Sequence, residues 1–299
     1  MRGVVVDEVF EHHRDLLFSV AYRMLGTAAD AEDAVQDAWL RWSSADRSGV
    51  AEPKAYLVRI TTNLALDRLR STRAQRESYV GPWLPEPMLT SPDVAEDVER
   101  AESVSMAMLV VLETLSPLER AVFVLHEVFG FPYTEIARSL DRSEPSVRQL
   151  GTRARKHVEA RRPRFESDRR ERREAVERFL AAALGGDINE LMAILAPDVT
   201  LWTDGGGKVR AALRVIEGAD KVGRLLAGVT RHEFRGVHPT DLRIERAELN
   251  GVPGLVLYNR TEPFATVTVD LDERGRIGAI HMVANPDKLQ ALAAGRTVS

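Results

Sequence analysis

The sequence predicts a multidomain fold in which two all-α helical domains precede an α+β domain. Apolar residues recur at spacings of three and four from Phe10 to Met24 and in a second block from Val104 to about Arg162, as on amphipathic helices. Several prolines interrupt residues 79–102, so we expect a linker between these two blocks. From Ala265 to Asp272 apolar and polar residues alternate with the period of a half-buried strand, which predicts a sheet in the last part of the chain.

The chain has 299 residues, enough for about two or three domains. We expect a first helical domain at 1–76, a linker at 77–103, a second helical domain at 104–165 and the α+β domain at 166–299. The absence of Cys excludes disulfides, thiol catalysis and Cys-ligated zinc, and we predict neither a metal site nor a cofactor. Because the formal net charge is −4, a nucleic-acid partner has to meet local clusters of Lys and Arg. No stretch approaches the roughly 18 apolar residues of a membrane span, so we expect a cytoplasmic protein without membrane contact.

An acidic ridge lies on the second predicted helix of the first domain. Asp30, Asp33 and Asp37 share one side of this helix, while Val35 and Trp42 can face the core. Acidic residues near a helix start are favourable by themselves, so the ridge has a purely structural interpretation. The functional interpretation requires a basic protein partner.

The next helix carries a basic face around an amide. Arg59, Asn63 and Arg70 lie opposite its apolar positions and Arg73 is close by, although Leu66 falls among them. Cations around an amide suit a nucleic-acid backbone and an unstacked base. We therefore predict that this face binds nucleic acid.

The second helical domain has helix-turn-helix spacing. Ser116, Pro117 and Glu119 form a capping-box pattern at the start of a helix, and Ser143 is the predicted N-cap of the last helix. Arg can bond guanine and Gln adenine in a major groove, while Ser, Thr and other cations hold phosphates. A solvated basic helix packed on a bundle is the alternative. The outward-facing residues of the last helix are Ser146, Arg148, Gln149, Thr152, Arg153 and Arg155.

The linker and the third domain carry stretches that suit one another. The linker places Trp83 among prolines, and such a stiff apolar segment loses little entropy when it is bound. The third domain contains a loop, Asp204–Lys208, whose three glycines let another backbone approach closely. We predict that this loop docks on the linker with Trp83 as the anchor, and that Asp204 and Lys208 bond linker backbone groups. In the alternative, Trp83 packs on a helical domain and the glycine stretch is only a turn.

Together these segments resemble the extracytoplasmic-function (ECF) RNA polymerase sigma factors that carry a SnoaL-like C-terminal domain, an α+β cone that usually encloses an apolar pocket. “AYLVRITTNLALDRLR” resembles the segment that melts the minus-ten element, with Asn63 at the position that holds a flipped base. The segment from Leu115 to Val158 resembles sigma region four, whose helix-turn-helix reads the minus-thirty-five element. “AEDAVQDAWLRW” resembles the region-two segment that docks on core RNA polymerase, which implies polymerase contacts for Asp33, Gln36, Asp37, Trp39 and Trp42.

The resemblance extends to motifs that this subgroup shares between linker and C-terminal domain. It implies a non-enzymatic initiation factor that binds core RNA polymerase and promoter DNA. Its own C-terminal domain would regulate it without a separate anti-sigma factor, and a small ligand in that domain is compatible with the fold. Whether the domain inhibits, activates or does both stays open. The motif residues are Trp83, Leu84, Pro85, Glu86 and Pro87 in the linker, Asp204, Gly205, Gly206, Gly207 and Lys208 in the glycine loop, and Asn285, Pro286 and Asp287 near the C-terminus.

Two other functions remain open from the residues alone. A ligand-responsive repressor or activator would bind duplex DNA without polymerase, but the acidic ridge argues against it. A cyclase or isomerase with a DNA-binding appendage would need a pocket that contains a base and a donor. The candidates for lining such a pocket are Trp202, Asp204, His232, His238, Tyr258 and His281.

Overall fold

The computed structural model of the protein describes residues 2–46, 49–90, 105–161, 168–185, 188–229, 233, 236–238, 241–295 and 297–298. The predicted fold class is confirmed, because two helical domains precede an α+β domain. Within these residues, no helix is both long enough and apolar enough to cross a membrane. The predicted end of the linker lies outside the described residues.

The first domain is a bundle of three helices that all pack against one another. The helices are α1 (Arg2–Leu25), α2 (Ala28–Ser44) and α3 (Pro53–Glu77). Buried residues of α2, among them Val35 and Trp42, recur at helical spacing, so one face of the helix meets the core and the other meets solvent.

The second domain contains a helix-turn-helix. Its helices are α4 (Met106–Glu113), α5 (Pro117–Phe123), α6 (Tyr133–Ser139) and α7 (Glu144–Glu159). The predicted capping box is present: the Glu119 amide donates to the Ser116 hydroxyl, and the Ser116 amide donates to the Glu119 carboxylate. A π-helical turn, Val124–Val128, continues α5. Helix α7 packs against both α5 and α6.

The third domain is a sheet with three of its helices on one face. In the described part of the chain the sheet has eight strands in the order β3-β2-β7-β6-β5-β4-β1-β8. Helices α8 (Arg169–Gly185), α9 (Ile188–Ile194) and α10 (Ala219–Val229) share a core with it. A 3-10 turn, Pro286–Leu289, leads into α11 (Gln290–Ala293). The strands are β1 (Leu89–Thr90), β2 (Leu195–Asp204), β3 (Ile216–Glu217), β4 (Arg243–Leu249), β5 (Val252–Asn259), β6 (Glu262–Leu271), β7 (Ile277–Val283) and β8 (Thr297–Val298).

One strand of this sheet comes from the linker. Strand β1 pairs antiparallel with β4, with Leu89 opposite Leu249, and parallel with β8, with Leu89 opposite Thr297. An extended segment that adds to a sheet edge satisfies its backbone groups there. The linker is therefore part of the third domain's sheet.

The segment between β2 and β3 is irregular: residues 209–215 form no strand, and only Ile216–Glu217 does. The Thr203 hydroxyl accepts a hydrogen bond from the Ala212 amide at 2.9 Å and donates to the Ala212 carbonyl at 3.3 Å. One side chain thus satisfies backbone groups that a neighbouring strand would otherwise bind.

The three domains share buried contacts. One hydrophobic core runs through both helical domains, from Leu17 of α1 to Val122 of α5. A smaller core joins Leu84 of the linker and Met106 of α4 to Val283 of β7. The linker therefore lies where all three domains meet.

Candidate nucleic-acid surfaces and the linker clamp

The outer face of α7 is open to solvent. Its opposite face, with Val147 and Ala154, is fully buried on the second domain. Gly151 lies on that buried face, and a Cβ at this position would come 2.6 Å from the Tyr133 hydroxyl. The glycine therefore makes room for the tyrosine that packs beneath the helix. Of the six predicted DNA-binding residues on α7, Ser146 is half-buried, while Arg148, Gln149, Thr152, Arg153 and Arg155 are exposed.

Local contacts hold two of these cations in position. Arg148 bonds Glu144 one turn earlier, at 2.8 Å from Nε to Oε1, and its guanidinium lies 5.0 Å from the Tyr133 ring centre. Arg155 lies 3.4 Å from Glu127. These pairs orient the cations and leave the outer face free for an elongated anionic partner.

The acidic ridge of α2 is exposed but not free of partners. Asp33 and Gln36 are exposed, and the side chain of Asp37 is 44% exposed. Arg68 of α3 lies 3.2 Å from Asp33 and 2.7 Å from Asp37. Leu40 is 56% exposed beside the ridge. The ridge thus braces α3 and also presents acidic and apolar groups outward.

The two tryptophans of α2 differ in exposure. Trp39 is half-buried and meets Phe10 edge to face, with ring centres 5.1 Å apart. Trp42 is only 3% exposed and packs 5.9 Å from Tyr56 in the core of the first domain. The expectation that Trp42 contacts polymerase is therefore corrected, because its helical position turns the side chain inward.

The outer face of α3 is partly covered by the second domain. The Asn63 side-chain amide donates to the Ser139 carbonyl, at the end of α6, at 3.2 Å. Leu66, one turn further along the same face, is 3% exposed, which explains an apolar residue among the polar ones. Arg59 is exposed, and so is Arg70, which pairs with Asp67 in its own helix. The side chain of Arg73 lies outside the described residues.

The linker is buried where its motif lies. Every residue from Leu84 to Met88, including Pro85 and Pro87, is buried, and Leu84 and Met88 have no exposed surface. Since prolines leave few regular backbone bonds in this segment, its remaining polar groups need partners from elsewhere.

Asp204, Asn285 and Lys288 supply many of those partners, and we name these three residues the linker clamp. Asp204 is fully buried and accepts hydrogen bonds from the Leu84 amide at 2.8 Å and the Tyr79 hydroxyl at 2.6 Å. The Asn285 amide donates to the same tyrosine oxygen at 2.8 Å. Burial and the neighbouring Asp204 carboxylate raise the pKa of Tyr79 well above its usual range.

Lys288 closes the linker clamp from the C-terminal side. Its ammonium lies 2.7 Å from Asp204 and donates to the Leu84 carbonyl. The same ammonium is 3.9 Å from the Trp83 ring centre and 4.9 Å from that of Tyr79. Burial lowers the pKa of Lys288 to about 8, although Asp204 favours its charged form.

The opposite side of the linker bonds the first domain. The Glu86 carboxylate accepts a hydrogen bond from the Ala28 amide at 2.6 Å, at the start of α2. This carboxylate occupies the favourable end of the helix dipole, where Thr27 makes no side-chain capping bond. A Cβ on Gly26 would come 2.6 Å from the Trp83 ring. Trp83 therefore packs between the first domain, at Gly26, and the linker clamp, at Lys288.

The hairpin turn between β4 and β5 makes a second connection. The side-chain amide of Asn250 donates to the Tyr22 hydroxyl, which donates to the Glu86 carbonyl. The Asn250 side-chain oxygen accepts a hydrogen bond from the Met88 backbone amide at 3.2 Å. The Asn250 backbone amide in turn donates to the Met88 carbonyl at 2.8 Å. This turn thus bonds both the linker and α1.

The glycine loop approaches the linker closely, but its lysine does not. A Cβ on Gly207 would meet Val80 at 3.1 Å, and one on Gly206 would meet Asn285 at 2.3 Å, so bulkier residues would displace the linker or the clamp. Lys208 instead pairs with Asp287 at 2.5 Å, and both side chains are 55% exposed. The prediction that Lys208 bonds the linker is corrected, since Lys288 takes that position. Gly205 packs on Val209 within the loop, and Pro286 begins the 3-10 turn that carries Lys288.

Tyr79, Lys288, Asn250 and Tyr22 contribute to the site but are not among the predicted site residues. Lys288 follows the predicted Asn285, Pro286 and Asp287 directly, so its motif was a usable signal. Asn250 and Tyr22 lie 228 positions apart and carry no motif, so only the folded chain brings them together.

Comparisons with known proteins agree with the layout of the helical domains. Residues 9–75 match the Sigma-70 region 2 family, and residues 105–158 match the Sigma-70 region 4 family. Over 288 residues the chain is 41% identical to the ECF RNA polymerase sigma factor SigJ of Mycobacterium tuberculosis, covering 93% of this chain and 91% of that protein. It is 32% identical over 292 residues to the probable ECF RNA polymerase sigma factor SigI of the same organism, covering 97% and 96%. The crystal structure of the M. tuberculosis ECF sigma factor SigJ matches with a TM-score of 0.75 and 36% identity, covering 97% of this chain and 99% of that one.

Proposed function

The chain belongs to the ECF sigma factors, non-enzymatic proteins that bind core RNA polymerase and direct promoter-specific transcription initiation, and we propose that its C-terminal domain inhibits it by holding the linker. The observation that carries the proposal is the linker clamp, where the third domain bonds the backbone and aromatic rings of the segment between the two promoter-binding domains.

Region two offers α2 to the polymerase. We assign the contact to Asp33, Gln36, Asp37 and the exposed edge of Trp39, and we add Leu40 because an exposed leucine next to acidic residues suits a basic partner with an apolar centre. Interface cores combine such apolar groups with a polar rim.

Region four offers α7 to the minus-thirty-five element. Its exposed Arg148, Gln149 and Arg153 suit base edges, while Thr152 and Arg155 suit phosphates. This face needs no rearrangement to reach a major groove.

Region two cannot engage the minus-ten element in the same way without a rearrangement. Asn63, which the family resemblance assigns to a flipped base, is bonded to region four. The two promoter elements are about 25 base pairs apart, roughly 85 Å at about 3.4 Å per base pair, whereas regions two and four here share one hydrophobic core. Initiation therefore requires the two regions to separate.

The linker is the element through which the third domain opposes that separation. It bonds region two through Glu86 and the third domain through Leu84, while Met106 of region four packs on the same side of the sheet. Because the regulator is covalently attached, it acts at high effective concentration. We propose that no separate anti-sigma factor is needed and that the protein acts in the cytoplasm, where core polymerase is found.

The test is transcription in vitro with core polymerase, on a promoter selected from genomic DNA with the same polymerase. Lys288→Met and Trp83→Ala should raise transcript yield several-fold, because each weakens the hold on the linker. Lys208→Met is the matched control and should leave the yield unchanged, since this lysine belongs to an exposed ion pair.

Point variants test the proposal more sharply than removal of the third domain, which would expose Leu84 and Met106 to water. If Lys288→Met and Trp83→Ala fold normally by circular dichroism and bind polymerase but give unchanged or lower yield, the inhibitory role is wrong.

A further inference from the structure

The third domain contains a cavity that the linker clamp does not use. It lies between α8, α10 and the helix-facing side of the sheet, and its volume is about 920 Å³. Sites for small organic molecules span about 300 to 1,000 Å³. The apolar residues around it include Phe179, Leu226, Leu255, Phe264, Val267 and Met282.

The predicted pocket residues that the structure describes do not line this cavity. Trp202 and Tyr258 pack in the core on the opposite side of the sheet. His281 is buried next to Asp270, at 3.4 Å, and faces Trp202. His232 lies outside the described residues. The strands therefore line the cavity with mainly apolar side chains, at positions that alternate with the predicted ones.

The polar groups of the described cavity wall are few. The Thr203 hydroxyl already bonds Ala212, and Arg224 is paired with Asp220 in its own helix. Glu233 lies at the exposed part of the wall. A water molecule in this cavity would find few hydrogen-bond partners, and this favours an apolar occupant.

Two features mark an entrance for such a molecule. Leu184 and Leu225 line the cavity and are 54% and 38% exposed, so they leave apolar surface at its opening. Arg210 also lines it and is exposed, and within the described residues no carboxylate lies at ion-pair distance from it. This cation is available to the charged end of an anionic ligand.

The cavity and the linker clamp share their walls. On β2, Thr203 faces the cavity and the next residue, Asp204, binds the linker. After β7, Ala284 lines the cavity and the next residue, Asn285, binds Tyr79. Since successive strand residues point to opposite faces, an occupant that shifts either strand end also moves the linker clamp.

We propose that this cavity binds a carboxylic acid with a long apolar body, of the long-chain fatty-acid type, with the carboxylate at Arg210. We further infer that its occupation loosens the linker clamp, a step that rests on the inhibitory role proposed above.

Binding is tested on the full chain with cis-parinaric acid as the fluorescent probe and oleate as the competitor. We expect saturable binding that oleate displaces. Ala183→Trp fills the cavity from α8 and should weaken displacement by about tenfold or more, whereas Ala181→Trp, exposed on the same helix, should not. Arg210→Gln should lower the affinity for oleate about two- to fivefold and leave the affinity for oleyl alcohol unchanged.

Absence of saturable probe binding would overturn the site, as would equal affinity of the two tryptophan variants. Arg210→Gln keeps the test decisive if Ala183→Trp fails to fold, because Arg210 is exposed. An equal effect of Arg210→Gln on oleate and oleyl alcohol would overturn the carboxylate assignment.

The second step is tested by hydrogen exchange of residues 79–90 and by transcript yield, with and without saturating oleate. We expect faster exchange and higher yield with oleate, and no response in Ala183→Trp. If oleate binds but leaves hydrogen exchange of the linker unchanged, the coupling between cavity and linker clamp is wrong, while the binding site stands. If oleate binds but Lys288→Met leaves transcription unchanged, the inhibitory role fails while the site stands.

Discussion

Helices α7 and α3 both carry a face suited to nucleic acid, but the face of α7 is open to solvent and the face of α3 is partly covered. On α7 the arginines point to solvent, and the ion pairs that Arg148 and Arg155 make among the described residues lie within the second domain. On α3 the central amide bonds α6, and Leu66 is buried. The two faces differ because α7 turns its basic side away from every other domain, whereas α3 packs against α5 and α6.

In the function that we propose, this difference assigns the two steps of promoter binding to different states of the molecule. The duplex-reading face of α7 is ready before polymerase arrives, whereas Asn63 on the melting face becomes available only when region four leaves region two. We propose that the linker clamp sets the free-energy cost of that departure, and four predictions test this account.

The largest effect is expected at the linker clamp. Lys288→Met leaves the fully buried Asp204 carboxylate without its cation, which should weaken docking by about 3 kcal/mol in urea unfolding. Because the chain has no cysteine, Leu66→Cys reports on α3 through thiol labelling. Labelling should be slow in the parent background and fast with Lys288→Met. Gln149→Cys on α7 should be labelled rapidly in both backgrounds. Slow labelling of Leu66→Cys in both backgrounds would show that the exposure of α3 does not depend on the linker clamp.

The exposed face of α7 gives the next effect. Arg153→Ala should weaken binding of the free chain to the minus-thirty-five duplex by about 2 kcal/mol, measured by fluorescence anisotropy at fixed salt. Asn63→Ala should leave this affinity unchanged, because its side chain contacts Ser139. Equal losses in the two variants would mean that the free chain uses both faces, and the comparison between them would be wrong.

Gly151→Ala tests how α7 is seated. Alanine is the better helix former by about 1 kcal/mol, but its Cβ would lie 2.6 Å from the Tyr133 hydroxyl. We expect a net loss of about 1 to 2 kcal/mol in thermal unfolding, since the buried ring has to move. Tyr133→Phe should relieve part of this loss, and a more stable Gly151→Ala chain would contradict the packing.

The smallest effect is a pH dependence of docking. Burial lowers the pKa of Lys288 to about 8, so between this value and its ordinary value near 10.5 the undocked state binds more protons. Docking should therefore strengthen by about 1 kcal/mol from pH 7 to pH 9. Of the groups around it, Asp204 and Glu113 favour the charged lysine and Arg76 opposes it. The raised pKa of Tyr79 reverses the trend only above its ordinary value near pH 10. Lys288→Met should remove this dependence of docking on pH. If the variant retains it, another group causes the dependence.

Local sequence signals predicted the helical domains well. The capping box at Ser116 and the buried stripe of α7 depend on residues within one or two turns, so the pattern determines them. Burial of Trp42 also follows from helical spacing, and the family resemblance alone assigned it to polymerase.

The linker contacts were harder to predict because they join distant residues. The pairing of Trp83 with the third domain follows from motifs that occur together, but the lysine that carries it lies 204 positions from the backbone oxygen of Leu84. Strand β1 is two residues long and has no alternation that could announce it. The sheet partner that it finds on β4 depends on the whole fold.

Strand β1 has a consequence for the released state. Within the described sheet, β1 separates β4 from β8, so withdrawal of the linker leaves the outer backbone groups of β4 without their neighbour. A bare strand edge recruits other polypeptides and favours self-association. The released form of this sigma factor is therefore expected to self-associate through this strand edge. Its lifetime away from polymerase should then shorten as its concentration rises.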